Sequence, residues 1–197
     1  MLPSTLLDIL TGPLALPVLA ALVFADAFLV VVPGEIAVTA LGALTASTGS
    51  PPLWGVVVVA ALAAWIGDVC CYALGRSVGL ERYRWMRSGA LRRAREWAAR
   101  RLDAGTATVL FTARFVPFAR LAVNLVAGAA RVPAAKYLPL AAVAAVGWAA
   151  YQVVSGAVVA AVVPGGPLPA VLVSIAVAVS LGVLVDLVVH RFRGGRD

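Results

Sequence analysis

The strongest constraint on this chain is where its prolines and charges fall inside long apolar stretches. A helix that spans a bilayer needs about 20 apolar residues. Residues 53–75, 137–163 and 168–189 meet that length and read as transmembrane helices. Two further stretches, 14–48 and 105–131, are equally apolar but broken, by Val31-Val32-Pro33-Gly34-Glu35 in one and Phe115-Val116-Pro117-Phe118 in the other. Proline removes a backbone donor, and the residue before it avoids the helical region. Non-helical backbone at membrane depth persists only where it is buried in protein or lines a water-filled cavity. The spacing therefore predicts two re-entrant helical hairpins, over 14–48 and 105–131, with their turns near the bilayer midplane.

Composition points the same way. Of 197 residues 62% are hydrophobic and 13% charged, with a mean hydropathy of +0.99. Soluble domains carry about 25% charged residues and 45–50% apolar ones. Lipid must be the solvent for most of the chain, which reads as one all-α integral membrane domain over 1–197. The first residues, MLPSTLLDILTG, lack a basic n-region and are expected to belong to the mature protein. Cys70 and Cys71 are adjacent in an apolar run, so they predict packing rather than a disulfide or a metal site.

The net charge of +7 does not imply nucleic acid, because the cations are clustered beside apolar segments. Nine of the sixteen basic residues lie within 76–101, and Arg191, Arg193 and Arg196 lie in the tail. Such clusters mark the cytoplasmic side. If 76–101 is cytoplasmic, 53–75 runs inward and a hairpin at 105–131 leaves Arg131 and Lys136 inside. Residues 137–163 then run out, Pro164-Gly165-Gly166-Pro167 turns outside, and 168–189 returns the C-terminus to the cytoplasm. A full span at 105–131 would put the tail arginines outside. Within the cytoplasmic segment 80–103, Ala90, Leu91, Ala94, Trp97, Ala98 and Leu102 share one helical face, with Arg92, Arg93, Arg95 and Arg100 away from it. This predicts an interfacial amphipathic helix. The Arg, Ala and Val bias suggests a GC-rich bacterium, and so its inner membrane.

The layout repeats. Phe24, Asp26, Pro33-Gly34-Glu35 and Gly42 precede a span with Trp65, Gly67, Asp68 and Tyr72. Phe111, Arg114, Pro117, Arg120 and Gly128 precede a span with Gly147, Trp148 and Tyr151. One hairpin opens outward and the other inward. Inverted repeats with broken helices and a site at their interface recur in secondary transporters. Small residues such as Gly147 and Ala150 also permit close packing, within the chain or in a homo-oligomer.

Asp26, Glu35, Asp68, Arg114 and Arg120 all lie in apolar sequence. Each costs about 2.5–3.5 kcal/mol at a helix centre, so unpaired they would cost on the order of 12–17 kcal/mol together. They must be paired, protonated or solvated. Arginine stays charged and its planar fork suits phosphate. A carboxyl group in an apolar cavity can pass between charged and neutral forms near neutral pH. The set predicts an anion site with proton coupling. Asp186 and His190, at the inner end of 168–189, read as interfacial. Enzymatic chemistry is not expected: the sole His lies at the membrane edge, there is no Gly-x-Ser-x-Gly elbow, and the scattered acids make no metal site.

Three groups of residues resemble the DedA family, also called the SNARE-associated or VTT-domain family. They are Pro33-Gly34-Glu35 with Leu41-Gly42; Gly67-Asp68 with Tyr72 and Gly75-Arg76; and Thr112-Ala113-Arg114-Phe115-Val116-Pro117-Phe118-Ala119-Arg120 with Ala127-Gly128. The last, an Arg-Phe-x-Pro-x-x-Arg pattern, is the most specific, and the resemblance covers roughly 14–160. It implies a transporter that returns undecaprenyl phosphate or a related polyprenyl phosphate to the inner leaflet, or a phospholipid scramblase. On that resemblance Arg114 and Arg120 would hold the phosphate, and Glu35 and Asp26 would gate or carry protons. Asp68 would tether the arginine hairpin, with Pro33, Gly34, Pro117 and Tyr72 in support. The family more often has Glu where this chain has Asp26. No cofactor or metal is implied. A proton-coupled ion carrier and a non-transporting envelope scaffold are the alternatives.

Overall fold

The computed structural model describes residues 12–29, 34–78, 110, 114, 119–162, 169 and 173. The segment 80–103, the span 168–189, Pro33 and Pro117 lie outside the described residues, as do Asp186, His190 and the tail. Among the described residues there are five α-helices and no strand: α1 (Ala15–Asp26), α2 (Gly34–Thr48), α3 (Leu53–Val78), α4 (Ala119–Ala129) and α5 (Ala134–Val162).

Helices α3 and α5 are long and apolar enough to cross a membrane. Each presents a stripe of exposed large apolar side chains at helical spacing. Trp54, Val58, Leu62 and Ile66 form one, and Val143, Val146, Val154 and Val158 the other. Such stripes suit a lipid solvent and would be costly in water. Helices α1 and α4, of 12 and 11 residues, reach only about 16–18 Å at 1.5 Å per residue, well short of the roughly 30 Å hydrocarbon layer.

Two boundaries differ from those read in the sequence. The span 53–75 continues to Val78 because Arg76 does not end the helix. It reaches back one turn, its Nη1 donating to the Tyr72 hydroxyl at 2.9 Å. The span 137–163 starts earlier, at Ala134, because Pro133 nucleates its first turn: the Pro133 carbonyl accepts from Lys136 N and Tyr137 N.

Two of the helix stops have a clear local cause. Gly49 at φ 78° closes α2, its N–H donating to the Thr45 carbonyl at 2.8 Å. Helix α4 ends in a Schellman arrangement with Arg131 at φ 55°, where glycine is usual. Arg131 N bonds Gly128 O (2.9 Å) and Val132 N bonds Ala127 O (3.1 Å).

The repeat in the sequence has a spatial counterpart. Helix α2 packs most extensively on α5, and α4 on α3, so each of these two helices lies on the long helix of the other unit, while α1 packs on the long helix of its own. Both crossings are made by a glycine from each partner. A methyl on Gly42 would meet the Val153 backbone, and one on Gly156 the Thr39 backbone. A methyl on Gly75 would meet Leu125, and one on Gly128 the backbone of Tyr72 and Arg76. In each pair a glycine rests on the residue three before its partner, which makes both crossings antiparallel. Alanines 60, 61, 63, 64, 145 and 149 fill the rest of the main core with Leu19, Val23, Val38, Leu41 and Leu44. Small residues let backbones approach where no hydrophobic force separates protein from lipid.

Candidate functional site

The charged residues converge where α1 ends and α2 and α4 begin, against the middle of α3. Asp26 is the last residue of α1, where a helix leaves carbonyls unsatisfied and disfavours negative charge. Arg120, the second residue of α4, answers both problems. Its Nη2 donates to the Asp26 carbonyl at 2.6 Å and to Asp26 Oδ2 at 3.0 Å. Gly34 makes room on the other side. A Cβ there would lie 2.9 Å from Asp26 Cβ and 3.0 Å from Oδ2, so the carboxylate rests against the first residue of α2. A helix N-terminus favours an anion in that position.

Asp68 projects from α3 and is 3% exposed. Its Oδ2 takes a charge-assisted hydrogen bond from Arg114 Nη2, and its Oδ1 accepts from Asn124 Nδ2 at 2.8 Å. Arg120 Nε stands 4.0 Å from the same Oδ1. Behind it the Tyr137 hydroxyl donates to Asn124 Oδ1 at 2.9 Å, with the Asp68 carbonyl also in reach at 3.2 Å. Tyr137 stacks on Tyr72 with centroids 4.3 Å apart, and the Tyr72 hydroxyl donates to the Val132 carbonyl. This network ties Asp68 to α4, α5 and the turn between them. It fixes the carboxylate so that one oxygen serves Arg114 and the other Asn124.

Glu35 occupies the first turn of α2, half-buried, within electrostatic reach of Asp26, Arg120 and Arg114. Among the described residues no guanidinium lies within 4.0 Å of its carboxylate. Its carbonyl accepts from Gln152 of α5 at 3.4 Å. The Arg114 guanidinium lies 5.5 Å from the Trp148 ring centroid.

The structure thus brings together Asp26, Gly34, Glu35, Asp68, Arg114 and Arg120, with Tyr72 one stacked ring behind. Pro33 and Pro117 lie outside the described residues. Asn124, Tyr137, Trp148 and Gln152 join the cluster without having been singled out as site residues. Asn124 and Gln152 did carry a signal, each being an amide inside an apolar helix. Among the described residues no group of three His, Cys, Asp or Glu side chains could hold a metal ion.

Chemically, three carboxyls and two guanidiniums gather where α1 ends and α2 and α4 begin, beside the two bilayer-length helices. That defines a helical membrane protein with a buried, nearly charge-balanced polar centre. The model of the VTT domain, the domain of the DedA family, matches residues 32–158, and the chain belongs to this membrane-associated family. No curated protein and no solved structure matches it.

Proposed function

We propose that the protein is a transporter of an anionic lipid, most simply a polyprenyl phosphate such as undecaprenyl phosphate, acting without enzymatic chemistry. The observation that carries this reading is the pairing of Arg120 with Asp26 and of Arg114 with Asp68 within apolar sequence. The carboxylates occupy the guanidinium faces that a phosphate would take. On this reading 14–48 and 105–131 are re-entrant hairpins, and the short reach of α1 and α4 favours it. The headgroup crosses between them while the isoprenoid tail stays in lipid. The chain lies in a bacterial inner membrane with its C-terminus cytoplasmic.

Charge balance supplies the coupling. With every group ionised the cluster holds three negative and two positive charges. A phosphate monoester adds about 1.5–2 more negative charges at neutral pH, and uncompensated charge at membrane depth is costly. Asp26 and Glu35 therefore take up protons as the headgroup enters, and Asp68 stays with Arg114 as the fixed counter-charge. Phospholipid scrambling would use the same arginines without a proton requirement.

The test is leaflet-resolved movement of polyprenyl phosphate in proteoliposomes, with and without a proton gradient. Activity in the wild type and none in Arg114→Ala or Arg120→Ala supports the phosphate role. Equal activity in all three defeats it. A scaffold role is favoured by one observation, the closed network joining Asp68, Arg114, Asn124 and Tyr137 across three helices. Under it the double exchange Glu35→Arg with Arg120→Glu preserves function, whereas a transporter loses it.

A further inference from the structure

Two neighbouring donors in this cluster have no hydrogen bond of full geometry among the described residues. One is Arg114 Nη1 and the other is Trp148 Nε1. Arg114 is 5% exposed and Trp148 is completely buried. Buried polar groups are nearly always hydrogen-bonded, because leaving one unmet forfeits its hydration with nothing in return. Trp65 in the same core follows that rule, its Nε1 donating to the Leu138 carbonyl at 3.1 Å.

The arrangement is not explained by packing. A phenylalanine at 148 would fill the core and offer Arg114 an aromatic face without bringing an unmet N–H. The two orphan donors belong to groups in contact, the guanidinium carbon 5.5 Å from the ring centroid. The Glu35 carboxyl is the acceptor beside this indole, close enough to interact with its N–H, but Nε1 lacks a partner in full hydrogen-bond geometry. The acceptor beside the pair is thus a carboxyl that gives up its charge on protonation, whereas one of the two donors is permanently charged. A phosphate presents several strong acceptor oxygens to such a pair.

The geometry points to Trp148 as a phosphate-binding residue, its Nε1–H donating to the oxygen beside the one held by Arg114 Nη1. This rests on the phosphate reading above and adds a donor to it. The indole is a neutral donor that cannot be lost to deprotonation. It therefore holds the headgroup while the carboxyls around it gain and lose protons.

The experiment uses the full chain in detergent micelles and three probes: farnesyl phosphate, farnesol and inorganic phosphate. Calorimetric titration of the wild type is expected to show farnesyl phosphate binding well above farnesol. Trp148→Phe is expected to weaken farnesyl phosphate about tenfold or more, the scale of one hydrogen bond to a charged acceptor, and to leave farnesol unchanged. If inorganic phosphate binds as tightly and is weakened equally, the donor assignment holds and the ligand is the free anion. If Trp148→Phe binds farnesyl phosphate like the wild type while Arg120→Ala does not, Trp148 is no ligand and the phosphate reading survives. If the wild type does not distinguish farnesyl phosphate from farnesol, both fall together.

A second measurement is independent of whether Trp148→Phe folds. Replacing Trp54, Trp65, Trp85 and Trp97 with Phe leaves one indole N–H signal in a ¹⁵N-labelled sample. That signal should move downfield with farnesyl phosphate and stay in place with farnesol. An unmoved signal overturns the assignment.

Discussion

Arg120 holds Asp26 by two different atoms, the carboxylate and the main-chain carbonyl that ends α1. One guanidinium therefore serves as ion-pair partner and as helix cap. The two jobs can be separated. Asp26→Asn keeps an acceptor for Arg120 and keeps the capped carbonyl, so the fold should survive with a modest loss. Its transport should respond less to a proton gradient, with Glu35 left as the remaining proton acceptor. Flux measured at several external pH values with a fixed gradient checks this, and an unchanged pH response would remove Asp26 from the coupling.

Arg120→Ala should be worse for stability than Asp26→Asn. It strands a buried carboxylate and reopens the α1 terminus together, a loss of about 3 kcal/mol or more for an uncompensated buried charge. The double variant Asp26→Ala with Arg120→Ala should recover part of that loss. Thermal unfolding in detergent, read as a double-mutant cycle, gives the coupling, and additive losses would show that the pair is not energetically joined.

Asn124→Leu should destabilise more than its single hydrogen bond to Asp68 suggests. The same amide accepts from Tyr137, so two buried groups lose a partner, at about 1–3 kcal/mol each. Adding Tyr137→Phe to Asn124→Leu should cost little more, because that hydroxyl has already lost its amide partner. A second full-sized drop in melting temperature would contradict the network.

Glycines separate by what surrounds them. Gly128→Ala drives a methyl into the Tyr72 carbonyl and the Arg76 nitrogen and should prevent normal assembly of α4 on α3. Gly49→Ala meets open space and pays only for its left-handed backbone, about 1 kcal/mol. Expression level and size-exclusion profile should place the first far below the second.

Arg131→Gly should stabilise the protein by about 1 kcal/mol, since Arg131 occupies a left-handed position without glycine's freedom. A melting temperature that falls instead would mean the Arg131 side chain contributes more than its backbone costs.

The five ionisable residues were legible in the sequence because charge in an apolar stretch is expensive and conspicuous. That they needed partners followed from the same cost. Which acid meets which arginine did not follow, since Arg120 finds Asp26 across 94 positions and Arg114 finds Asp68 across 46. Asn124, Tyr137 and Trp148 escaped for a different reason. A neutral polar group reads as a tolerable residue until its hydrogen-bond partner, or lack of one, is known. The helix starts at Gly34 and Ala119 were readable from the prolines nearby. The late end of α3 was not, because a cation at a membrane edge reads as a terminus unless it turns back onto its own helix.

The exchanged glycine crossings have a consequence for how such a protein can move and be built. Each half of the chain supplies the bed on which one helix of the other half lies, α5 for α2 and α3 for α4, so neither half has a finished surface of its own. Pulling the halves apart would strip both beds at once, whereas sliding along the smooth glycine seams strips neither. Rearrangement around the charged centre is thereby confined to small glides of paired helices. For the same reason a gene fragment carrying one half should yield nothing that folds unless the other half is supplied beside it.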